Sequence, residues 1–291
     1  MDAIKVKAPA KINLSIDVVG IRYDGYHLLR MINQAIDLMD TVEVSLEEGK
    51  DIVISCDDNR IPSGENNIAY KACQAFFAHT GREPVGVKVE IQKEIPTEAG
   101  LAGGSADGAA VLFALNELLE TGLSTEELCD IGETVGADIP FCLVGGTAFV
   151  EGIGEVITPL PEIPHCYFVV SKPDLSIRTA DCFKAFDGEG ISRRPDIDKI
   201  TAAVIAGELE EMASSMCNVL EEVGRYPQIE ELKSIMLEEG ALGAVMSGSG
   251  SAVVSVFEDK GDAKHCVREL TSRGYENTFL CKPVAHGCIE K

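Results

Sequence analysis

Positive charge is what this 291-residue chain has least of: 25 Lys and Arg stand against 48 Asp and Glu, a net charge of −23. Such a surface repels polyanions. That argues against a broad nucleic-acid or anionic-membrane interface, and any phosphate site must rest on local, preorganised positive potential. CxxC pairs are also missing. The ten cysteines fall at irregular spacings, with Cys281 and Cys288 the closest two, so neither a zinc site nor a thioredoxin-type motif is indicated and reduced, packed thiols are expected. No apolar run approaches the roughly 18 residues of a membrane span. The start, Met1-Asp-Ala-Ile-Lys5, carries no apolar leader core, so a cytoplasmic protein is expected. No repeat of fixed period and no low-complexity tract is present.

What is there reads as α+β in two lobes. The hydrophobic content, 45%, suffices for a substantial core, and the length suits one large domain or two ordinary ones. Alternating apolar residues predict strands over Lys11 to Val19 and Val85 to Ile95, with shorter ones at Val42-Glu-Val-Ser-Leu46 and Asp51-Ile-Val-Ile-Ser55. Helices are predicted over Asn67 to His79, Ser105 to Leu119 and Thr125 to Val135, the last opened by Ser124-Thr-Glu-Glu127. The proline cluster Pro159-Leu-Pro161-Glu-Ile-Pro164 suits a crossover, which places a boundary near 160 and gives domains 1–160 and 161–291. Beyond it, helices at Thr179 to Phe186, Ile197 to Ile205, Ile229 to Glu238 and Asp262 to Arg273 alternate with strands at Cys166 to Val170, Ala244 to Met246, Ala252 to Phe257 and Asn277 to Cys281.

The stretch Pro96-Thr-Glu-Ala-Gly100-Leu-Ala-Gly-Gly104-Ser105-Ala-Asp107 joins a strand to a helix through a glycine-rich turn. Free backbone N–H groups and a helix N-terminus converge there, which makes either a phosphate cradle or a tight connection that binds nothing. The Walker spacing GxxxxGK[ST] is absent and no lysine follows the turn, so the missing cation has to come from elsewhere. Ser105 can cap the helix or offer a hydroxyl to a phosphate or to Mg²⁺. Lys11, after Ala8-Pro9-Ala10, stands at a strand end and either faces a cleft or lies in solvent. Asp138, one residue before the pre-proline Ile139, is expected on a stiff extended bend, as a proton acceptor or as a turn aspartate.

Tyr23-Asp-Gly-Tyr26-His27 sets two aromatics and a histidine around a turn, suited to stacking on a planar base and bonding its edge. Phe183 reads as core by its own spacing, and Asn116 as a structural amide. Asn66 and Asn67 are candidate neighbours of an adenine. Gly240-Ala-Leu-Gly243-Ala-Val-Met-Ser247-Gly-Ser-Gly250-Ser251 forms a second glycine-serine turn, able to press on a phosphate or simply to turn tightly.

Together these segments resemble the GHMP kinase superfamily over nearly the whole chain. Three motifs appear in order: Ala8-Pro-Ala-Lys11-Ile-Asn13-Leu, Ile95-Pro-Thr-Glu-Ala-Gly-Leu-Ala-Gly-Gly-Ser105-Ala-Asp107, and Gly243-Ala-Val-Met-Ser-Gly-Ser-Gly250. Arg22-Tyr-Asp-Gly-Tyr-His27 followed by Gln34-Ala-Ile-Asp-Leu-Met-Asp40 narrows the likeness to the branch that acts on a cytidine diphosphate-linked alcohol. The resemblance implies a ribosomal-S5-domain-2-like N-terminal lobe and a ferredoxin-like C-terminal lobe. It also implies ATP-dependent phosphorylation of the 2-hydroxyl of 4-(cytidine 5′-diphospho)-2-C-methyl-D-erythritol, with Mg²⁺; a monomer and a homodimer both stay open.

By the same resemblance Lys11 and Asp138 are catalytic, and Pro96, Thr97, Gly100, Leu101, Ala102, Gly103, Gly104, Ser105 and Ala106 bind ATP. Asn13, Tyr26, His27 and Phe183 bind the alcohol, the last three around its cytosine. Glu98 and Ala102 stand where many relatives have small residues or glycine, and Ala106 replaces a common second serine, which removes a hydroxyl and leaves the backbone cradle intact. Two other readings stay open: a kinase of the homoserine or mevalonate type, and a nucleotide-binding relative without catalysis.

Overall fold

A computed structural model describes residues 3–188 and 191–290. The first half runs β1 (Ala3–Ile21), β2 (His27–Glu47), β3 (Ile52–Cys56), α1 (Ile68–Thr80), β4 (Gly86–Gln92), α2 (Gly103–Leu118), α3 (Thr125–Glu133), α4 (Ile139–Val144), β5 (Thr147–Gly152) and β6 (Val156–Leu160). The second half runs β7 (Tyr167–Ser171), α5 (Thr179–Gly188), α6 (Ile197–Ala206), α7 (Leu209–Ser214), β8 (Cys217–Asn218), α8 (Pro227–Glu238), β9 (Gly243–Met246), β10 (Val253–Phe257), α9 (Lys260–Ser272), β11 (Thr278–Cys281) and β12 (Ile289–Glu290). No helix among the described residues is long and apolar enough to cross a membrane.

Two sheets organise the chain. The larger has the path β12-β1-β2-β4-β3, with β5 joined to β2, β6 to β5 and β8 to β1. Its alternating residues Ile4, Val6, Ala8, Ala10, Ile12 and Leu14 are buried in the same core cluster as residues of α1 and α2, each fully removed branched side chain contributing about 1.5–3 kcal/mol. The smaller sheet is ordered β11-β7-β10-β9 with every pair antiparallel. Taken alone that order is 4-1-3-2, the β-α-β-β-α-β arrangement of a ferredoxin-like unit. The α+β class and the two kinds of lobe expected from the sequence are both present.

Several local expectations are corrected. Pro9 lies inside a 19-residue strand, tolerated because the register shifts between Pro9 and Ala10. The segment from Thr147 to Leu160 is a hairpin, and Pro159 belongs to its outer strand, which pairs on one side only. Ile139 is helical rather than extended: Pro140 falls in the first turn of α4, where no N–H is needed. Ser105 does not cap α2, because the N-cap is Ala102, in the left-handed region at φ 57° and without a side-chain bond.

Candidate active site

A cleft of about 1070 Å³ lies between the lobes, and the glycine-rich segment forms its wall from Ile95 through Gly104. That segment is pinned from both sheets. The Lys11 amide donates to the Leu101 carbonyl at 3.1 Å and the Ala252 amide to the Ala99 carbonyl at 3.1 Å. The Ser247 hydroxyl of the second glycine turn donates to the Gly100 carbonyl at 3.0 Å and accepts from the Asn13 amide at 3.2 Å. Gly100 is required by contact as well as by φ (+73°), since a Cβ there would sit 2.0 Å from the Ser247 carbonyl oxygen. Glu98 (φ 53°) and Ala102 (φ 57°) take left-handed conformations despite their side chains. The first-turn amides of α2 have no intrahelical acceptor, and Ala102 supplies no side-chain one, so they are available to an anion.

Lys11 and Asp138 meet across this wall. The Lys11 ammonium lies 3.8 Å from Asp138 Oδ1 and donates to Asn13 Oδ1 at 2.8 Å. Asn13 in turn donates to Asn33 Oδ1 at 2.6 Å, which fixes its amide. The lysine side chain is 6% exposed and the aspartate 36%, so the cation is held by the protein while the carboxylate remains open to a ligand. Position 138 is set by its neighbour: Ile139 packs into a socket whose walls are Gly132 and Gly108, where a Cβ would approach it to 2.5 and 3.2 Å. Asp138 makes no capping bond to α4, which leaves its oxygens free.

At the other end of the cleft stand Tyr26, His27 and Phe183. The His27 and Phe183 rings stack with centroids 4.7 Å apart at 23°, too close for a base between them, and His27 Nε2 pairs with Asp187 Oδ1 at 2.8 Å. Tyr26 is 59% exposed, with the Arg22 guanidinium 5.5 Å from its ring. Phe183 packs on the smaller lobe's core and also lines the cleft, so its core spacing and its place in the site coexist.

Of the residues to which the resemblance gives a catalytic or binding role, Ser105 and Ala106 are the two not on the cleft wall, Ala106 being fully buried. Asn67 is occupied as the cap of α1, accepting from the Ala69 amide at 2.7 Å, and Asn66 lies off the wall. Asn116 is structural, its Oδ1 accepting from the Leu123 amide at 2.9 Å beyond the end of α2.

Sequence reading missed Lys93. It follows β4, lines the cleft next to Gly103, and is buried in ion pairs with Asp40 and, at 2.8 Å, with Asp107. This lysine precedes Pro96 by three residues, at the end of an apolar strand, where the alternation alone reads it as a strand-end residue. Burial, opposed in part by Lys93, pushes the Asp107 carboxyl up to about 8. Among the described residues no group of three or more His, Cys, Asp or Glu side chains is arranged to hold a metal ion.

The N- and C-terminal domain families of GHMP kinases match residues 67–146 and 201–277. A 4-diphosphocytidyl-2-C-methyl-D-erythritol kinase of Lachnoclostridium phytofermentans is 42% identical over 285 residues, 97% of this chain and 98% of that one. One of Alkaliphilus oremlandii is 45% identical over 287 residues, 96% of each. A crystal structure of 4-(cytidine 5′-diphospho)-2C-methyl-D-erythritol kinase superposes with TM-score 0.80 at 31% identity, covering 96% of this chain and 99% of its own. A homoserine kinase from Cytophaga hutchinsonii also reaches 0.80, covering 100% of this chain and 98% of its own, but at 20% identity it shows the fold alone. Identity at that level across almost the full length of both chains places this protein in the 4-diphosphocytidyl-2-C-methyl-D-erythritol kinase family, within the GHMP kinases.

Proposed function

We propose that the chain catalyses ATP-dependent phosphorylation of the 2-hydroxyl of 4-(cytidine 5′-diphospho)-2-C-methyl-D-erythritol, a step of the non-mevalonate route to isoprenoid precursors. One observation carries this: a single cleft joins an uncapped, glycine-rich helix N-terminus, a Lys–Asp pair and a cluster of aromatic side chains with a histidine. These suit a triphosphate, a reacting hydroxyl and a nucleobase in that order.

ATP, when bound, supplies the phosphoryl group, with Mg²⁺ offsetting charge on its oxygens. The amides at the start of α2 hold the phosphate oxygens, and the helix dipole adds about half a positive charge there. Asp138 accepts the hydroxyl proton and orients the oxygen toward phosphorus. Lys11, at 3.8 Å, pairs with that carboxylate and offsets charge on the phosphoryl group in transit. Asn13 holds Lys11 in place, and Tyr26, His27 and Phe183 take the cytosine. Among the described residues no group of three or more acidic, His or Cys side chains is arranged for a metal, which fits an Mg²⁺ that would be held mainly by triphosphate oxygens and water. A cytoplasmic location accompanies this reading, since both substrates are soluble metabolites.

The test is a coupled ADP-release assay of the purified chain with the diphosphocytidyl alcohol, homoserine and mevalonate. Turnover of the first alone is expected. Preference for homoserine or mevalonate would favour another member of the superfamily, and ATP binding without turnover of any alcohol would favour a non-catalytic relative.

A further inference from the structure

Asp40, Lys93 and Asp107 form a buried chain of charges apart from the Lys11–Asp138 pair. Asp40 Oδ1 accepts the backbone amides of Glu94 at 2.7 Å and Ile95 at 2.9 Å, the residues that lead into the glycine segment. Its other oxygen takes the Lys93 ammonium, which also donates to Asp107 Oδ2 at 2.8 Å. Asp107 lies on α2, the helix that leads out of the same segment. A carboxylate–ammonium–carboxylate chain therefore ties the two ends of the cradle together from behind.

The cradle needs such a tie. Between those ends Glu98 and Ala102 hold left-handed conformations, each costing on the order of 1 kcal/mol or more and persisting only where the surroundings over-determine the backbone. Two carboxylates against one ammonium would also leave a net negative charge behind a phosphate site. Burial eases this by raising the Asp107 carboxyl toward its neutral form, and its Oδ1 is left without a hydrogen-bond partner, so Lys93 is its link to the strand side.

We propose that Asp107 is a positioning residue for ATP, holding through Lys93 and Asp40 the spacing between the incoming strand and the helix N-terminus that frame the triphosphate cradle. This rests on the reading of that cradle as the ATP site. Asp107→Ala cuts the link on the helix side and leaves Lys93 paired with Asp40. Asp107→Asn, the uncharged isostere of the protonated acid, keeps an oxygen that accepts from Lys93.

The experiment compares both variants with the native chain. It uses backbone hydrogen exchange over residues 96–104 without ligand, ATP affinity by calorimetry, and KM for each substrate. Asp107→Ala is expected to speed exchange over 96–104 and to raise both the ATP dissociation constant and KM for ATP roughly tenfold or more, with KM for the alcohol within about twofold. Asp107→Asn is expected to return all three readouts to within about threefold of native. The proposal is overturned by unchanged exchange and ATP affinity in Asp107→Ala, by equal losses on both substrates, by an asparagine variant no better than the alanine one, or by an Asp107→Ala chain that does not fold. Absence of ATP binding by the native chain would instead overturn the reading of the site, and the ligand-free exchange would still decide the clamp.

Discussion

Gly100→Ala is the sharpest single perturbation of the cleft, because two separate penalties fall on one methyl group. At φ +73° the residue is in the left-handed region, which costs an alanine about 1–2 kcal/mol relative to glycine. The new Cβ would lie 2.0 Å from the Ser247 carbonyl oxygen and 2.8 Å from its carbon. Both neighbours are backbone, so no flexible side chain can give way, and overpacking of this kind adds about 1–3 kcal/mol. The variant should therefore lose about 2–5 kcal/mol in urea unfolding. Because the contact joins the two glycine turns, relief by parting them would also shift the cradle, and KM for ATP should rise by tenfold or more, on the order of what a 1 Å displacement can do. A loss below about 0.5 kcal/mol with KM unchanged would show that the turns are not locked and refute the reasoning. Ala102→Gly is the control of opposite sign in the same loop, expected to leave stability unchanged or raise it by about 1 kcal/mol; clear destabilisation would mean φ at 102 is not the strain it is taken for.

Asp138→Ala should lower kcat by on the order of 10² or more while calorimetric ATP affinity changes little, and near-normal turnover would remove it as the proton acceptor. His27→Ala should raise KM for the cytidyl alcohol and not for ATP; equal effects on the two would take His27 out of the base pocket. Asp107 predicts a pH dependence of stability. An unfolded carboxyl gives up its proton near pH 4, whereas the folded chain holds that of Asp107 to about 8. Stability from this residue is thus full below about pH 4 and is lost as pH rises toward 8, so the difference in unfolding free energy between the native chain and Asp107→Asn should change steadily across that window. A constant difference would mean that Asp107 titrates normally.

Legibility in the sequence followed how strongly one face was buried. Ile12, Leu14 and Ile16 alternate with neighbours in β1, and that strand was visible though shorter than it is. Strand β2 was seen only at Val42–Leu46, because Met31-Ile-Asn-Gln-Ala-Ile36, all buried in the sheet, sets its apolar and polar residues in pairs and no period of two survives. The glycine turn was legible as a strand-to-helix connection with free amides because those features lie on the backbone of one short segment. Lys93 was not, since its partners Asp40 and Asp107 lie 53 and 14 positions away. The bend at Asp138 was misjudged because the pre-proline rule is a local preference, and the socket made by Gly108 and Gly132 for Ile139 is tertiary.

Strands β8 and β12 return from the second half of the chain to flank β1, pairing Cys217 with Ser15 and Glu290 with Val6. A cut at residue 160 would therefore not release a finished unit. It would strip β1 of partners at two points and bare the backbone of an otherwise interior strand, the kind of open edge that recruits other chains. It would also remove the Cys288 amide that donates to Cys142 at 3.1 Å within α4. The helix that presents Asp138 thus gains a backbone partner 150 positions later in the sequence, a support that reaches the proposed catalytic pair only once the second lobe has been made.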